Sequence, residues 1–292
     1  MKNFELAEPA TLDEALSLLD PEDATVRAIA GGTALLLMMK PRLFQPTRLI
    51  SLRRIKNALR GVSADEAGGL RIGAMTTLSE MERSPLIARM FPVMTRTLHT
   101  LSNVRIRNVA TLGGHLAHGD PHMDLPPILL TLGARVRAAS QHGERWIDIG
   151  DLFTGYYETA LSRDELITEV EVPLQPAGVH SWYEKYTALS ADDWPAVGVA
   201  VWFRMESGVI AEARVAVSSA TERPVRMARA EAELSNSSAT AADFSKAADA
   251  AAEEVQPLAD LRGTVAYKRE MVRVHVRRAL ERALKINPSE AS

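Results

Sequence analysis

Two pairs of adjacent glycines constrain this chain more than any other feature: Gly31–Gly32 in AIAGGTALL (Ala28–Leu36) and Gly113–Gly114 in NVATLGGHLAH (Asn108–His118). Each pair sits beside a small hydroxyl residue, Thr33 or Thr111. Glycine lets a backbone approach a ligand closely, and N–H groups gathered before a helix form a cradle for anions. Either pair alone reads first as a tight turn. Two pairs, each following a strand-like run, point to a ligand with two phosphoryl groups. The chain has no G-x-G and no G-x-x-x-x-G-K, so it lacks the dinucleotide fingerprint of doubly wound folds and the P-loop.

The rest of the pattern predicts an α+β fold. A strand around Phe4 leads into a helix, TLDEALSLLD, with Thr11 as N-cap and Glu14 completing a capping box. Thr33 is placed to cap the apolar helix ALLLMMK, where Met38 and Met39 read as core. TRLISL reads as a strand, GGLRIGAMTTLSEMER as a strand entering a helix, and Pro85 as the start of a further helix. ARVRAAS and ELITEVEVP are strands on either side of a loop containing GYYE, whose Tyr156 and Tyr157 read as packing residues. After a Pro/Gly break at 175–181 come three alternating strands, SWYEKYTAL, AVGVAVWFRM and AEARVAVSSA. Two helices follow, the second burying a stripe of Val272, Val276, Ala279 and Ala283. Its many cations read as a solvated face or as a docking face for partner chains. The last residues, NPSEAS, are expected to fray.

Composition narrows the function. The 292 residues carry a net charge of -3, which gives no basic field for nucleic acid or an anionic membrane. No cysteine is present, excluding disulfides, thiolate zinc sites and cysteine-ligated clusters within this chain. The N-terminal stretch has no long apolar run, so neither a signal peptide nor stable membrane insertion is expected, and a cytoplasmic location follows as the default.

His115, His118 and His122 crowd beside Asp120 and Asp124. The H-x-x-x-H spacing of His118 and His122 suits a metal on a helix, but Gly119 and Pro121 break such a helix, and the glutamate of H-E-x-x-H is absent. Spacing alone leaves metal binding and packing around a glycine turn both open.

AIAGGTALLLMMK, NVATLGGHLAHGDPHMDLPP and GTVAYKREMVRVHVRRAL together resemble the FAD-binding (medium) subunit of molybdenum hydroxylases, the family of xanthine dehydrogenase and of the flavoprotein of aerobic carbon monoxide dehydrogenase. The resemblance covers essentially the whole chain. It implies a vanillyl-alcohol-oxidase/MurB-type fold, with FAD between two α+β subdomains (1–56 and 57–176), a C-terminal domain of three-stranded antiparallel sheet and helices (177–287), and a tail (288–292). Carried over residue by residue, it implies that Ile29, Ala30, Gly31, Gly32, Thr33, Ala34 and Leu35, with Thr111, Gly113, Gly114 and His115, wrap the diphosphate and ribityl chain. Relatives often carry Asn, Ser or Asp at the His115 position. By the same resemblance Asp124 binds the adenosine side, Ile167 and Lys185 contact the flavin, Leu101 and Ala110 are neighbours, and Trp194 sets its ring against the isoalloxazine or begins the strand that follows it.

The implied role is electron transfer without substrate chemistry in this chain. A molybdopterin large subunit would hydroxylate the substrate, an iron–sulfur small subunit with [2Fe-2S] clusters would relay electrons, and FAD here would pass them to an external acceptor. An (LMS)2 heterohexamer is the implied assembly. Lys185 reads either as an exposed strand lysine or, set near the flavin, as a cation that favours its anionic reduced form. The rival readings are a self-contained FAD oxidoreductase of the same fold, and a metal-dependent hydrolase using His115, His118, His122 and Asp120.

Overall fold

A computed structural model describes residues 3–188, 190 and 193–286; the expected frayed end and the 288–292 tail lie outside them. The first sheet is parallel, built from β1 (Glu5–Ala7), β2 (Val26–Ile29) and β3 (Arg48–Ser51) in the order β1-β3-β2. Central β3 buries Leu49 and Ile50 completely. Between β1 and β2 lies α1 (Leu12–Ser17), whose Thr11 hydroxyl accepts from the Glu14 N–H. The Glu14 carboxylate reaches the Ala10 N–H rather than that of Thr11, so the expected capping box closes one residue early. After β2 comes α2 (Leu35–Met39), with Ala34 and not Thr33 at its N-cap. Thr33 is thereby left on the loop. Met39 is core, but Leu36 and Leu37 on the same helix are exposed.

The second sheet is antiparallel. It contains β4 (Val62–Ala64), β5 (Leu70–Gly73), β6 (Arg135–Ser140) and β7 (Gly143–Asp148), with β8 (Phe153–Gly155) and β9 (Glu158–Thr159) forming a separate hairpin before β10 (Leu166–Val172). Its order is β4-β5-β10-β6-β7. Six helices intervene between β5 and β6: α3 (Leu78–Glu82), α4 (Pro85–Met90), α5 (Pro92–Thr100), α6 (Val104–Arg107), α7 (Leu112–Ala117) and α8 (Leu125–Leu132). A short α9 (Ile149–Leu152) follows β7. The sequence LPPILLTL makes α8 apolar on almost every side, and it is buried accordingly. It ends at Gly133, whose φ of 73° is the left-handed geometry that glycine supplies at a helix end.

The third sheet runs β11 (Val179–Tyr186), β12 (Val197–Glu206), β13 (Val209–Ser218) and β14 (Val225–Arg226). It has four strands where three were expected, because Val225–Arg226 pairs with Ala216–Val217 at the edge. Central β12 reads as an unbroken apolar run rather than an alternation, because both of its faces are covered. Ala200 and Trp202 pack into the core shared with α8, while Val197, Val199, Val201 and Phe203 face the C-terminal helices. Those helices are α10 (Ala228–Leu234), α11 (Ala241–Glu254) and α12 (Val265–Lys285). The expected stripe of Val272, Val276, Ala279 and Ala283 is fully buried. A third apolar cluster joins Leu16, Val26, Ile50 and Ile55 to Met75, Ala139 and Leu166, so the first and second sheets share buried surface.

Candidate cofactor-binding cleft

The first glycine pair joins the second through a contact that only glycine allows. A Cβ on Gly31 would lie 2.0 Å from the Val109 carbonyl oxygen, two residues before Thr111. The Ala30 methyl stands 3.6 Å from where a Gly114 Cβ would be. Gly32 takes φ 73°, which turns the chain into α2. Along this junction runs a cleft of about 920 Å³, large for a small-molecule site. All of Ile29, Ala30, Gly31, Gly32, Thr33, Ala34, Leu35, Leu101, Ala110, Thr111, Gly113, Gly114, His115, Asp124, Ile167, Lys185 and Trp194 line it.

The two loops are not equivalent, and this corrects the expectation that all four glycines offer free donors. The Gly113 N–H is used by the Ala74 carbonyl at 2.8 Å, and the Gly114 N–H by the Thr111 hydroxyl at 3.2 Å. Thr111 is the N-cap of α7, so its oxygen is committed locally. The close approach at this pair is to protein: a Gly113 Cβ would meet that of Ala74 at 2.6 Å. In the first loop, the Gly31, Gly32 and Thr33 N–H groups have no partner among the described residues. That loop therefore carries the donors, and the second shapes the wall.

Asp124 and Lys185 also depart from expectation. Asp124 is buried, taking a hydrogen bond from the Tyr183 hydroxyl at 2.8 Å and pairing with Lys185 Nζ at 3.1 Å. Nζ also donates to the Thr100 carbonyl at 3.1 Å. Burial pushes the Asp124 carboxyl above its ordinary value, and Lys185 and Tyr183 oppose that rise. The two residues therefore meet at one point of the cleft. They cannot serve the opposite ends of an extended dinucleotide.

The histidines do not converge. His122 sits between two carboxylates, Nδ1 at 2.9 Å from Asp120 and Nε2 at 3.2 Å from Asp260. The His118 ring stands edge-on to Tyr157, with centroids 5.1 Å apart. His115 has its Nε2 sealed from solvent without a hydrogen-bond partner among the described residues, and burial pulls its pKa down to about 4 against the pull of Asp120. Among the described residues no three His, Asp or Glu side chains are grouped to share a metal ion.

Several lining residues escaped the sequence reading. Ser102 and Tyr157 both have positive φ, 53° and 59°, a strained geometry for non-glycine residues that gathers at functional sites. Tyr157, read as packing, faces the cleft; burial and the Asp120 carboxylate raise its phenol pKa. Arg27 and Arg163 line the cleft too. Arginine beside a phosphate-sized loop was a usable signal at Arg27, whereas Arg163 is 132 residues from that loop in sequence (163 − 31).

Residues 2–175 match the family described as FAD binding domain in molybdopterin dehydrogenase, and residues 182–283 match the CO dehydrogenase flavoprotein C-terminal domain. The chain belongs to the FAD-binding subunits of molybdenum hydroxylases. It is 32% identical over 280 residues to the carbon monoxide dehydrogenase medium chain of Hydrogenophaga pseudoflava, covering 96% of each chain. It is 34% identical over 278 residues to the nicotine 6-hydroxylase medium subunit of Paenarthrobacter nicotinovorans, covering 95% of this chain and 96% of that one. Among solved structures, a carbon monoxide dehydrogenase from Hydrogenophaga pseudoflava superposes with a TM-score of 0.93 at 34% identity, covering 97% of this chain and 98% of that one. Quinoline 2-oxidoreductase from Pseudomonas putida 86 superposes at 0.90 and 31% identity, covering 99% and 98%. This medium subunit therefore has the α+β FAD-binding fold with its C-terminal domain, and is an oxidoreductase component.

The cleft suits FAD on its own chemistry. Among the described residues it offers unpartnered N–H groups at Gly31, Gly32 and Thr33, a glycine approach that a Cβ would fill, and a buried imidazole nitrogen at His115 without a hydrogen-bond partner.

Proposed function

We propose that this medium subunit holds FAD in the 920 Å³ cleft, receives electrons from [2Fe-2S] clusters of a small subunit, and delivers them to an external acceptor. A large subunit with a molybdopterin-type cofactor carries the substrate chemistry. Bound FAD supplies a ring that takes electrons singly and releases them in pairs. The chain binds and orients that ring. The N–H groups of Gly31, Gly32 and Thr33 hold the diphosphate, His115 accepts from a cofactor hydroxyl, and the Asp124–Lys185 pair fixes one end. Leu101, Ala110, Ile167 and Trp194 exclude water along the walls.

The observation that carries this reading is the Gly31–Val109 junction, which brings two loops 78 residues apart in sequence (109 − 31) to one cleft. We read residues 1–56 and 57–176 as the two FAD-binding subdomains and 177–287 as the C-terminal domain, which the separate sheets support. The assembly is an (LMS)2 heterohexamer in the cytoplasm; no helix among the described residues is long and apolar enough to cross a membrane.

Purification under native conditions tests the reading. A yellow protein with one FAD per chain, co-purifying with an iron–sulfur and a molybdenum subunit, is the expected result. A colourless chain that refuses added FAD overturns it.

A further inference from the structure

Asp260 lies outside the cleft, yet an imidazole and two cations converge on it. Its Oδ2 is 3.2 Å from His122 Nε2, 3.0 Å from Lys268 Nζ and 3.6 Å from Arg262 Nη1. Its Oδ1 accepts from the Arg262 N–H at 2.8 Å, closing a turn that brings the Arg262 side chain back beside the carboxylate. Two of these partners lead to the cleft. His122 lines it directly, and the Arg262 guanidinium stands 5.5 Å from the centre of the Trp194 ring, which also lines it. The third partner closes a loop of contacts. Lys268 is almost fully buried and donates to the Ser219 carbonyl at 3.1 Å, while the Ser219 N–H donates to the Pro121 carbonyl at 3.0 Å, next to His122. A buried ammonium is tolerated only when paired, so Lys268 fixes Asp260, and Asp260 fixes both His122 and Arg262.

We propose that Asp260 is a positioning residue for the cofactor cleft, setting His122 through its ring nitrogen and Trp194 through Arg262. Trp194 is the sensitive arm. The residue is 49% exposed, which leaves the guanidinium set against its ring to influence how the ring is held. Where FAD binding is concerned, the inference rests on the functional reading above; the placement of Trp194 does not.

The test uses the full chain, with and without FAD. Asp260→Asn keeps an acceptor for the Arg262 N–H but removes the charge. It should weaken FAD binding about tenfold, the size of one coupled ionic contact. In a Trp194→Phe background the same substitution should have a smaller effect, because one of its two arms into the cleft is already removed. In the apo chain, acrylamide quenching of Trp194, taken as the difference from Trp194→Phe, should rise in Asp260→Asn. Arg262→Met, which leaves the Asp260–Lys268 pair in place, should reproduce that rise and stands in if Asp260→Asn does not fold. Additive losses of FAD affinity, or quenching of Trp194 unchanged in both variants, overturn the proposal. A wild-type chain that binds no FAD overturns the functional reading instead, and the quenching comparison still decides the role of Asp260.

Discussion

Lys185 Nζ and Asp124 Oδ2 stand 3.1 Å apart on the cleft wall, with side chains only 8% and 7% exposed. The pair brings together α8, whose first residue follows Asp124, and β11 of the C-terminal sheet. A buried pair of this kind contributes little relative to an apolar replacement, but removing one partner strands the other.

Lys185→Met should therefore destabilise the fold by about 3–5 kcal/mol at neutral pH. Burial already raises the Asp124 carboxyl pKa, and Lys185 opposes that rise, so its loss raises the pKa further. The penalty is that of a buried carboxylate without its cation. It should shrink as pH falls and Asp124 takes up a proton. Urea unfolding at pH 8 and pH 5 measures this, and an equal loss at both pH values would contradict it.

The same pair should tune the bound flavin in two directions. A cation near the ring favours the reduced anion, and a carboxylate disfavours it. Lys185→Met should lower the two-electron midpoint potential and Asp124→Asn should raise it, each by about 30 mV, equivalent to a tenfold change in relative binding of the two oxidation states. The double variant should return toward the wild-type potential. Spectroelectrochemical titration of the FAD-loaded chain reads all four proteins, and shifts of the same sign in both single variants would remove the pair from the flavin's surroundings.

The loop junction predicts a sharp contrast among glycines. Gly31→Ala places a Cβ 2.0 Å from the Val109 carbonyl oxygen, where neither backbone can yield without opening the cleft. A loss of about 1–3 kcal/mol or more is expected, together with loss of bound FAD on gel filtration. Gly150→Ala serves as the control, since its Cβ meets only the tip of Leu130 at 3.4 Å, an ordinary contact. A Gly31→Ala chain that keeps both its thermal midpoint and its FAD would show that the two loops do not depend on this approach.

What the sequence made legible, and what it hid, divides along a physical line. Local chemistry was readable: Thr11 caps α1, and the stripe from Val272 to Ala283 is buried as its spacing implies. The glycine pairs could be located but not told apart, because whether an N–H is free depends on Ala74, a residue 39 positions before Gly113. Asp124 and Lys185 were both found, but their meeting was not, since it arises only when the C-terminal sheet packs against α8. Unbroken apolar β12 looked like one half-buried strand among three, because a second covering layer leaves no periodic trace. Asp260 gave no signal, as its partners at 122 and 268 lie on separate elements.

His115 leads to the last prediction, which concerns acid. Its pKa in the fold is about 4, because burial disfavours the imidazolium, against about 6.5 for an exposed histidine. The unfolded chain thus takes up this proton first. Stability should fall as pH drops from about 6.5 towards 4, by about 3 kcal/mol in total from this residue, and this contribution should stay constant below that. His115→Asn does not titrate and keeps a polar group facing the cleft, so the difference in urea midpoint between variant and wild type should grow in the variant's favour across that window. FAD should extend the wild-type loss to lower pH, because a hydroxyl donating to the sealed Nε2 holds the ring neutral in the fold still further. A pH-independent difference between the two proteins would mean that His115 is protonated as readily in the fold as out of it, and its place as a neutral acceptor for the cofactor would fall with that result.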